Sequence, residues 1–497
     1  MNNIFTKRIL SRIHSSLNSD LDAFCINGRI YSYSEFFTYV QYVQDRVNKQ
    51  TDSNDKLIGL ICDDTIMTYA SIVALWYEGK AYLPLHPKQP NERHYEIIRE
   101  SKISCVLSEG KYYDGVNTII LNENEVGIDI NNNIIIKEVC DSELAYVLFT
   151  SGSTGKPKGV QITRKNVSAF IDSMLDYGFD LSSEDKYLQP FDLTFDISVF
   201  ALLMPLINGG CLYTIPLDAT KFTYIAELLE KYYLTFLPVV PSMIRNLNPY
   251  LDEVQTDSVR YTIVAGEAFM KDVLDPWQNK IKHSITINMY GPTENTVYAT
   301  GHSFKYGQNA FEHHGGLTIG KDLKNSKSII IDEKGNPIKS ANEIGELCLS
   351  GPQLTPGYLN NKKENQEKFF FYNDERFYKT GDLCFYDENS LIMYIGRLDS
   401  QVQINGYRVE LNEIESKYKS ISKYSSIAIP FSNRQGNLEI ALIIECDKYD
   451  YTSDIEKLKG TLPSYMCPSK ILFMKRFPLN SNGKIDKRAL KENFNLK

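Results

Sequence analysis

No run of apolar residues in this chain approaches the about twenty needed to cross a bilayer, so no transmembrane helix is expected. A basic stripe is missing too, and a formal net charge of −8 gives no electrostatic case for nucleic acid. No two cysteines form a CxxC pair. The nine are scattered singly from Cys25 to Cys467, and an odd, unpatterned set points to reduced thiols in the cytoplasm, serving as core filler and not as ligands. Internal repeats and low-complexity tracts are also lacking. The first residues, MNNIFTKRILSRIHSSL, carry Lys and Arg but no apolar run after them, which argues against a signal peptide and reads as a short amphipathic helix. The adjacent histidines of Glu312, His313 and His314 lack i, i+4 spacing and a further ligand, so they read as a solvated loop. What remains has the ordinary charged and apolar fractions of a globular protein, 23% and 42%. At 497 residues it is too long for one core, and its size suggests roughly three or four structural units.

Strand and helix patterns alternate over residues 20–135, implying a parallel sheet covered by helices. LIGLICDD (57–64) is a buried-strand candidate, and TIMTYASIVALWYEGK has helical spacing closed by Gly79. KAYLPLHP reads as a strand, and Pro90-Asn91 leads into the helix ERHYEIIRES with Asn91 as its cap. These residues are assigned a scaffold role.

The most informative stretch is LAYVLFTSGSTGKPKGV (144–160), an apolar strand followed by a loop of small and basic residues. Glycines let backbone N–H groups crowd around an anion. Thr150, Ser151, Ser153 and Thr154 add hydroxyl donors, and Lys156 and Lys158 add positive charge. The loop suits a polyphosphate; a flexible surface loop is the alternative. It is not a Walker P-loop, because Gly152 and Gly155 are separated by two residues. A second singular residue is Asp196 in KYLQPFDLTFDISVFALLMPLINGGCLY (186–213), where it begins an apolar helix. It is either an N-cap or a carboxylate facing an apolar pocket, whose burial a substrate ammonium would offset.

TSGSTGKPKG resembles the phosphate loop of the adenylate-forming superfamily, which comprises acyl-CoA synthetases, luciferases and peptide-synthetase adenylation domains. Further matches follow in the family's order: AGEAF (265–269), NMYGPTENT (288–296), YKTGDL (378–383), GRLDSQVQINGYRVELNEIE (396–415) and NGKIDKRAL (482–490). With weaker similarity in KAYLPLHPKQPNER (80–93), the resemblance covers almost the whole chain. It implies an α/β and α+β fold. A large N-terminal domain of αβ-layered sheets with a small β-barrel-like subdomain would span 1–398, and a small mobile C-terminal α+β domain 399–497. Residues 326–396 read as short strands, with a Gly-containing hairpin in SIIIDEKGNPI and edge-like alternation in GELCLSGP and SLIMYIGR.

The resemblance also implies residue roles. ATP would be held by Thr150, Ser151, Gly152, Ser153, Thr154, Gly155 and Lys156, by Gly266, Glu267 and Ala268, and by Asn288, Tyr290 and Gly291. Tyr290 would stack on adenine, Asp382 would grip the ribose hydroxyls, and Arg397, supported by Tyr394, would hold ribose or phosphate. Thr293 would bond the phosphate and reacting carboxylate, and Glu294 would hold Mg2+. Asp196 falls where amino-acid-activating members hold the substrate's α-amino group. Ile197, Phe200, Pro238, Ile263, Ala265, Met289, Val297 and Tyr298 would line the side-chain pocket, or simply pack the core, and their bulk favours a small or medium uncharged substrate. Asp399 matches the hinge and Gly406 the border of the thiol channel. Lys484 matches the lysine that serves adenylate formation. Gln403 departs from the family, where many members carry Lys. The activity implied is ATP- and Mg2+-dependent activation of an amino acid as aminoacyl-AMP, then transfer to the phosphopantetheine thiol of a carrier protein. With no carrier motif in the chain, a free-standing enzyme is expected. A carboxylate–CoA ligase and, less well supported, a non-catalytic nucleotide-binding homologue are the alternatives. Neither nucleic acid nor membrane insertion is expected.

Overall fold

The computed structural model describes residues 3–17, 19–127, 135–152, 156–399, 401–447, 450–478 and 485–496. The chain divides into two compact units: Met1–Pro87, Ile98–Leu148 and Gly159–Leu398 form the first, and Lys88–Ile97, Phe149–Lys158 and Asp399–Lys497 the second.

In the first unit a nine-stranded sheet runs, edge to edge, Lys321–Asp322, Thr300–Phe304, Ile285–Tyr290, Tyr261–Val264, Phe236–Val239, Lys186–Gln189, Cys211–Thr214, Asp22–Ile26 and Arg29–Ser32. From Ile285–Tyr290 to Asp22–Ile26 every pairing is parallel. Cys211–Thr214, Phe236–Val239 and Tyr261–Val264 are buried at every position, as expected of strands covered on both faces. A seven-stranded sheet follows the order Gly357–Tyr358, Lys158–Thr163, Leu144–Thr150, Ala81–Leu85, Leu57–Ile61, Cys105–Ser108, Asn117–Ile120. The helix Ile66–Tyr77 is buried along its whole length, which its nearly continuous apolar sequence requires. Gly79 follows the helix at φ +75°, the left-handed position that ends helices.

A five-stranded antiparallel sheet is built from Lys327–Ile331, Gly345–Ser350, Glu375–Tyr386, Phe369–Tyr372 and Ile392–Arg397. Two local expectations change here and upstream. Gly345–Ser350, read as an edge, is paired on both sides, consistent with the burial of Leu347, Cys348 and Leu349. Asn91 is the first helical residue of Asn91–Ser101 and not the residue ahead of it. The expected N-terminal helix spans a π-helical turn, Phe5–Leu10, and Ser11–Ser16, burying Phe5, Ile9, Leu10 and Ile13.

Within the second unit, Gln401–Ile404 and Tyr407–Glu410 form a hairpin. Asn405 and Gly406 lie at φ 50° and 85°, the paired left-handed conformations of a two-residue turn that Asn-Gly adopts with little strain. Helix Leu411–Ile421 packs on the sheet of Ser426–Ser432, Leu438–Glu445 and Lys470–Met474 through Ile414, Tyr418, Ala428 and Leu442. The same helix carries Glu413, whose carboxylate forms a 2.7 Å ion pair with Arg93; the two side chains are 0% and 3% exposed. Burial raises the Glu413 pKa, and the Arg93 guanidinium opposes that shift.

Removing one partner of a buried pair leaves an uncompensated charge, which costs about 3–5 kcal/mol, whereas replacing both by apolar groups is often neutral. Arg93→Ala is therefore expected to destabilise the second unit by that order in urea unfolding followed by limited proteolysis of 399–497. The pair Arg93→Met with Glu413→Leu is expected to recover most of the loss; equal loss in both proteins would show that the ion pair is not the stabilising element.

Candidate active site

Asp382 lies in the middle of the twelve-residue strand Glu375–Tyr386, not in a hairpin turn, and is 5% exposed. The neighbouring strand places Arg397 directly opposite, and its Nη1 donates to Asp382 Oδ1 at 2.6 Å. Tyr290, at the end of Ile285–Tyr290, donates its hydroxyl to Asp382 Oδ2 at 2.5 Å. Burial, then the charge of Asp382, pushes the Tyr290 phenol well up, so it stays a donor. Arg397 Nη2 also donates to the Thr380 carbonyl at 3.0 Å, which fixes the guanidinium plane. A carboxylate offers about four acceptor sites, so both oxygens retain capacity for hydroxyl donors such as a vicinal diol. Tyr394 is half-buried and packs with Tyr290 against the cluster of Ala299, Ile319 and Cys384.

After Tyr290 the chain turns sharply. A Cβ on Gly291 would fall 2.4 Å from the Val297 carbonyl oxygen and 2.8 Å from the Ala299 nitrogen, both backbone atoms, so only glycine fits. The short 3-10 turn Thr293–Asn295 follows, and then Thr296 and Val297 at φ 55° and 69°. Two β-branched residues in the left-handed region store strain of a kind that clusters at functional sites. Glu294 is 1% exposed, and the Tyr358 hydroxyl donates to its Oε1 at 2.6 Å, so it is not a solvated turn residue. Thr293 is half-buried beside it. Asn288 is buried and donates to the Thr318 carbonyl at 2.8 Å. In the AGEAF segment Gly266 takes φ +81°, and Ala268 is exposed. Both Glu267 oxygens accept from Ser242, from its N at 2.9 Å and its Oγ at 2.8 Å, so this side chain caps the helix Pro241–Leu247.

Asp196 precedes the apolar helix Ile197–Asn208 and is 5% exposed, yet it makes no side-chain capping hydrogen bond. The simple capping alternative therefore does not account for it. Ile197, Phe200, Ile263, Ala265, Met289, Val297 and Tyr298 belong to one buried cluster. Pro238 stands opposite Ile263 on the neighbouring strand. Phe200 and Tyr298 have ring centroids 5.5 Å apart, and Phe170 lies 6.0 Å from Tyr298. A Cβ on Gly266 would meet Val240, Ile197 and Phe195 at 3.4–3.6 Å, which places this backbone against the same apolar wall.

In the second unit two of the phosphate-loop candidates, Ser151 and Gly152, are held by residues beyond Asp399. Ser151 Oγ donates to the Arg408 carbonyl at 2.8 Å and accepts from the Glu410 amide at 3.1 Å. The Gly152 amide donates to Glu413 Oε2 at 3.3 Å, so a carboxylate already occupies an anion position on this backbone. Thr150 ends the strand Leu144–Thr150, and Lys156 is exposed. Asp399 is exposed and Gly406 buried. Ser153, Thr154, Gly155 and Lys484 lie outside the described residues.

Sequence reasoning missed Tyr358, the donor to Glu294, and the pair of Arg93 and Glu413. Arg93 and Glu413 lie in recognisable segments and Tyr358 in none of them, and the partners are 64 and 320 residues away, beyond any local pattern. His313 and His314 fall in an exposed hairpin, and among the described residues no cluster of three His, Cys, Asp or Glu could hold a metal.

Comparison with known proteins bears on the family and the fold. Residues 14–359 match the family model described as AMP-binding enzyme. The chain is 33% identical over 448 residues to bacitracin synthase 3 of Bacillus licheniformis, aligning over 88% of this chain but spanning only 7% of that much longer protein. It is 29% identical over 496 residues to the D-alanine–D-alanyl carrier protein ligase of the same species, covering 96% of this chain and 97% of that one. The crystal structure of the Vibrio cholerae adenylation domain AlmE, in complex with glycyl-adenosine-5'-phosphate, superposes with a TM-score of 0.84 at 24% identity, covering 100% of this chain and 98% of that one, which bears on the fold alone. The mixed α/β architecture and the resemblance read from the motifs both agree with these findings. No helix among the described residues is long and apolar enough to cross a membrane. The chain belongs to the AMP-binding enzyme family.

Proposed function

We propose that the protein joins an amino acid to AMP and then passes the aminoacyl group to the phosphopantetheine thiol of a carrier protein. The observation that carries this reading is the Asp196 carboxylate, buried at the head of an apolar helix that it does not cap. A substrate ammonium is a group that offsets such burial; a simple fatty acid or acetate offers none. Amino-acid chemistry also appears in the name of a similar protein, the D-alanine–D-alanyl carrier protein ligase.

In the first step a carboxylate oxygen of the amino acid attacks the α-phosphorus of ATP, and the bond to pyrophosphate breaks. Asp196 fixes the ammonium, and Asp382 with Arg397 orients the ribose. Thr293 and the loop around Ser151 and Gly152 receive phosphate oxygens, which exchange for the present contacts with Arg408, Glu410 and Glu413. Lys484 bridges the substrate carboxylate and the α-phosphate, neutralising developing charge. Positioning and charge stabilisation carry most of such catalysis. Glu294 fits a Mg2+ site of the usual kind, in which one carboxylate shares the ion with substrate phosphates; the ion would supply charge neutralisation there. In the second step the thiol sulfur attacks the acyl carbon, AMP leaves, and the thiol proton is released. Lys484 withdraws for this step while the segment at Gly406 borders the incoming thiol, with the change of geometry hinged at Asp399. A small or medium uncharged amino acid, D-alanine among them, fits the bulky walls.

Pyrophosphate exchange into ATP, measured over a panel of amino acids and simple acids, is expected to depend on an amino acid. Exchange stimulated only by acetate or a fatty acid would overturn the proposal in favour of a CoA ligase. Lys484→Ala is expected to abolish adenylate formation while sparing thiol transfer from preformed adenylate; equal loss of both steps would contradict the two-geometry scheme. Asp382→Asn weakens charge-assisted bonds worth about 1.5–3 kcal/mol, so the KM for ATP is expected to rise about 10-fold or more with the amino acid KM little changed.

A further inference from the structure

A cavity of about 280 Å³ opens beside the carboxyl ends of three strands, Asp22–Ile26, Leu57–Ile61 and Cys105–Ser108, and shares no residue with the site around Asp196 and Asp382. Each of these strands has a parallel neighbour, and ligands of parallel sheets collect at such ends. The volume lies at the small end for ligand pockets, about 300 Å³. Its lining combines Arg29, Thr65, Glu109 and Glu123 with the rings of Tyr31 and Tyr39. The two rings meet edge to face, with centroids 6.1 Å apart.

The two carboxylates are provided for unequally. The Arg29 guanidinium lies 4.2 Å over the Tyr31 ring and 3.6 Å from Glu123 Oε1, which also accepts from the Tyr39 hydroxyl at 2.8 Å. Glu109 receives the Thr65 hydroxyl on Oε1 and meets no other protein donor or cation among the described residues. The same hydroxyl accepts from the Thr68 amide at 3.2 Å, so Thr65, and not Glu109, caps the helix Ile66–Tyr77. Burial pushes the Glu109 carboxyl up to about 7 against the Thr65 bond, and Asp63 and Glu123 add like charge. Neither helix capping nor an internal ion pair accounts for a carboxylate in this place.

We propose that the cavity is a second ligand site, which takes a small organic ammonium ion held by Glu109 and walled by Tyr31 and Tyr39. Arg29, the one cation in this lining, is already engaged with Glu123 and Tyr31. A partly buried carboxylate left without a partner favours a ligand that brings positive charge. An ammonium group supplies three donors, and ring faces attract cations, as Arg29 on Tyr31 shows. Ile26, Ile66 and Met67 complete the lining and suit the ligand's carbon chain. A bare metal ion fits less well, since among the described residues no group of three His, Cys, Asp or Glu could hold one.

The test is calorimetric titration of the full-length protein with butylammonium chloride and with butan-1-ol, which has the same carbon chain and no charge. Saturable binding of the ammonium is expected, at least about 10-fold tighter than the alcohol, the effect of one charge-assisted hydrogen bond. Glu109→Gln keeps an acceptor for Thr65 and removes the charge, so the preference is expected to fall to near one while the melting temperature without ligand matches or exceeds that of the parent. In Asp196→Asn the preference is expected to persist. Equal affinity for the two probes, or a preference unmoved by Glu109→Gln, would overturn the inference. A preference lost in Asp196→Asn and kept in Glu109→Gln would assign the ammonium to the substrate site, overturning the second site and leaving the proposed function standing. If Glu109→Gln does not fold, crystals of the unmodified protein soaked in butylammonium chloride decide: the nitrogen is expected within hydrogen-bond distance of Glu109, and an empty cavity would overturn the inference.

Discussion

Moving an ionised carboxylate from water into an apolar interior is unfavourable unless hydrogen bonds or an opposite charge replace its hydration, and this constraint shapes the first unit. Asp196, Glu294 and Asp382 are each no more than 5% exposed. Asp382 is met by an arginine and a phenol, and Glu294 by a phenol. Asp196 stands at the head of the apolar helix Ile197–Asn208 without capping it. The difference is instructive. Carboxylates already supplied with protein donors are pre-organised to receive neutral or shared ligands, such as ribose hydroxyls or a phosphate-bound cation. A buried carboxylate at the head of an apolar helix that it does not cap is suited to a ligand that brings a positive charge.

The fold makes these placements economical. Parallel strands of the nine-stranded sheet end on the same side, so the segments after Val239, Val264 and Tyr290 deliver Pro241–Ser242, Ala265–Ala268 and Gly291–Glu294 to one edge of the sheet. The close approach at Gly291 and the left-handed Thr296 and Val297 fold the chain back so that Tyr298 returns to the apolar cluster. Glu267 spends its carboxylate on the helix Pro241–Leu247, so in this structure it serves as a brace between two of those loops. In the second unit Glu413 stands on the Gly152 amide, the same type of donor that would meet a phosphate.

Much of this was legible in the sequence because short motifs and local periodicity are local facts. The strand entering the phosphate loop, the fully buried helix Ile66–Tyr77 and the Asn-Gly hairpin at 405–406 follow from residue order alone. Motif order disclosed the family. The partners of the functional groups were less accessible, because they meet across the chain. Tyr290 reaches Asp382 over 92 residues and Arg93 reaches Glu413 over 320, separations at which spacing carries no signal. Gly345–Ser350 was misplaced at an edge because alternation reports which faces are apolar and not how many neighbours a strand has.

The claim on which the rest depends is that the Asp196 carboxylate holds a substrate ammonium. Calorimetric titration of the protein with a non-hydrolysable aminoacyl-adenylate analogue, and with the same analogue lacking only its amino group, tests it most directly. The amino compound is expected to bind at least about 10-fold more tightly, the loss of one charge-assisted hydrogen bond, and that difference is expected to vanish in Asp196→Asn. Equal affinity for the two compounds in the unmodified protein would contradict the account.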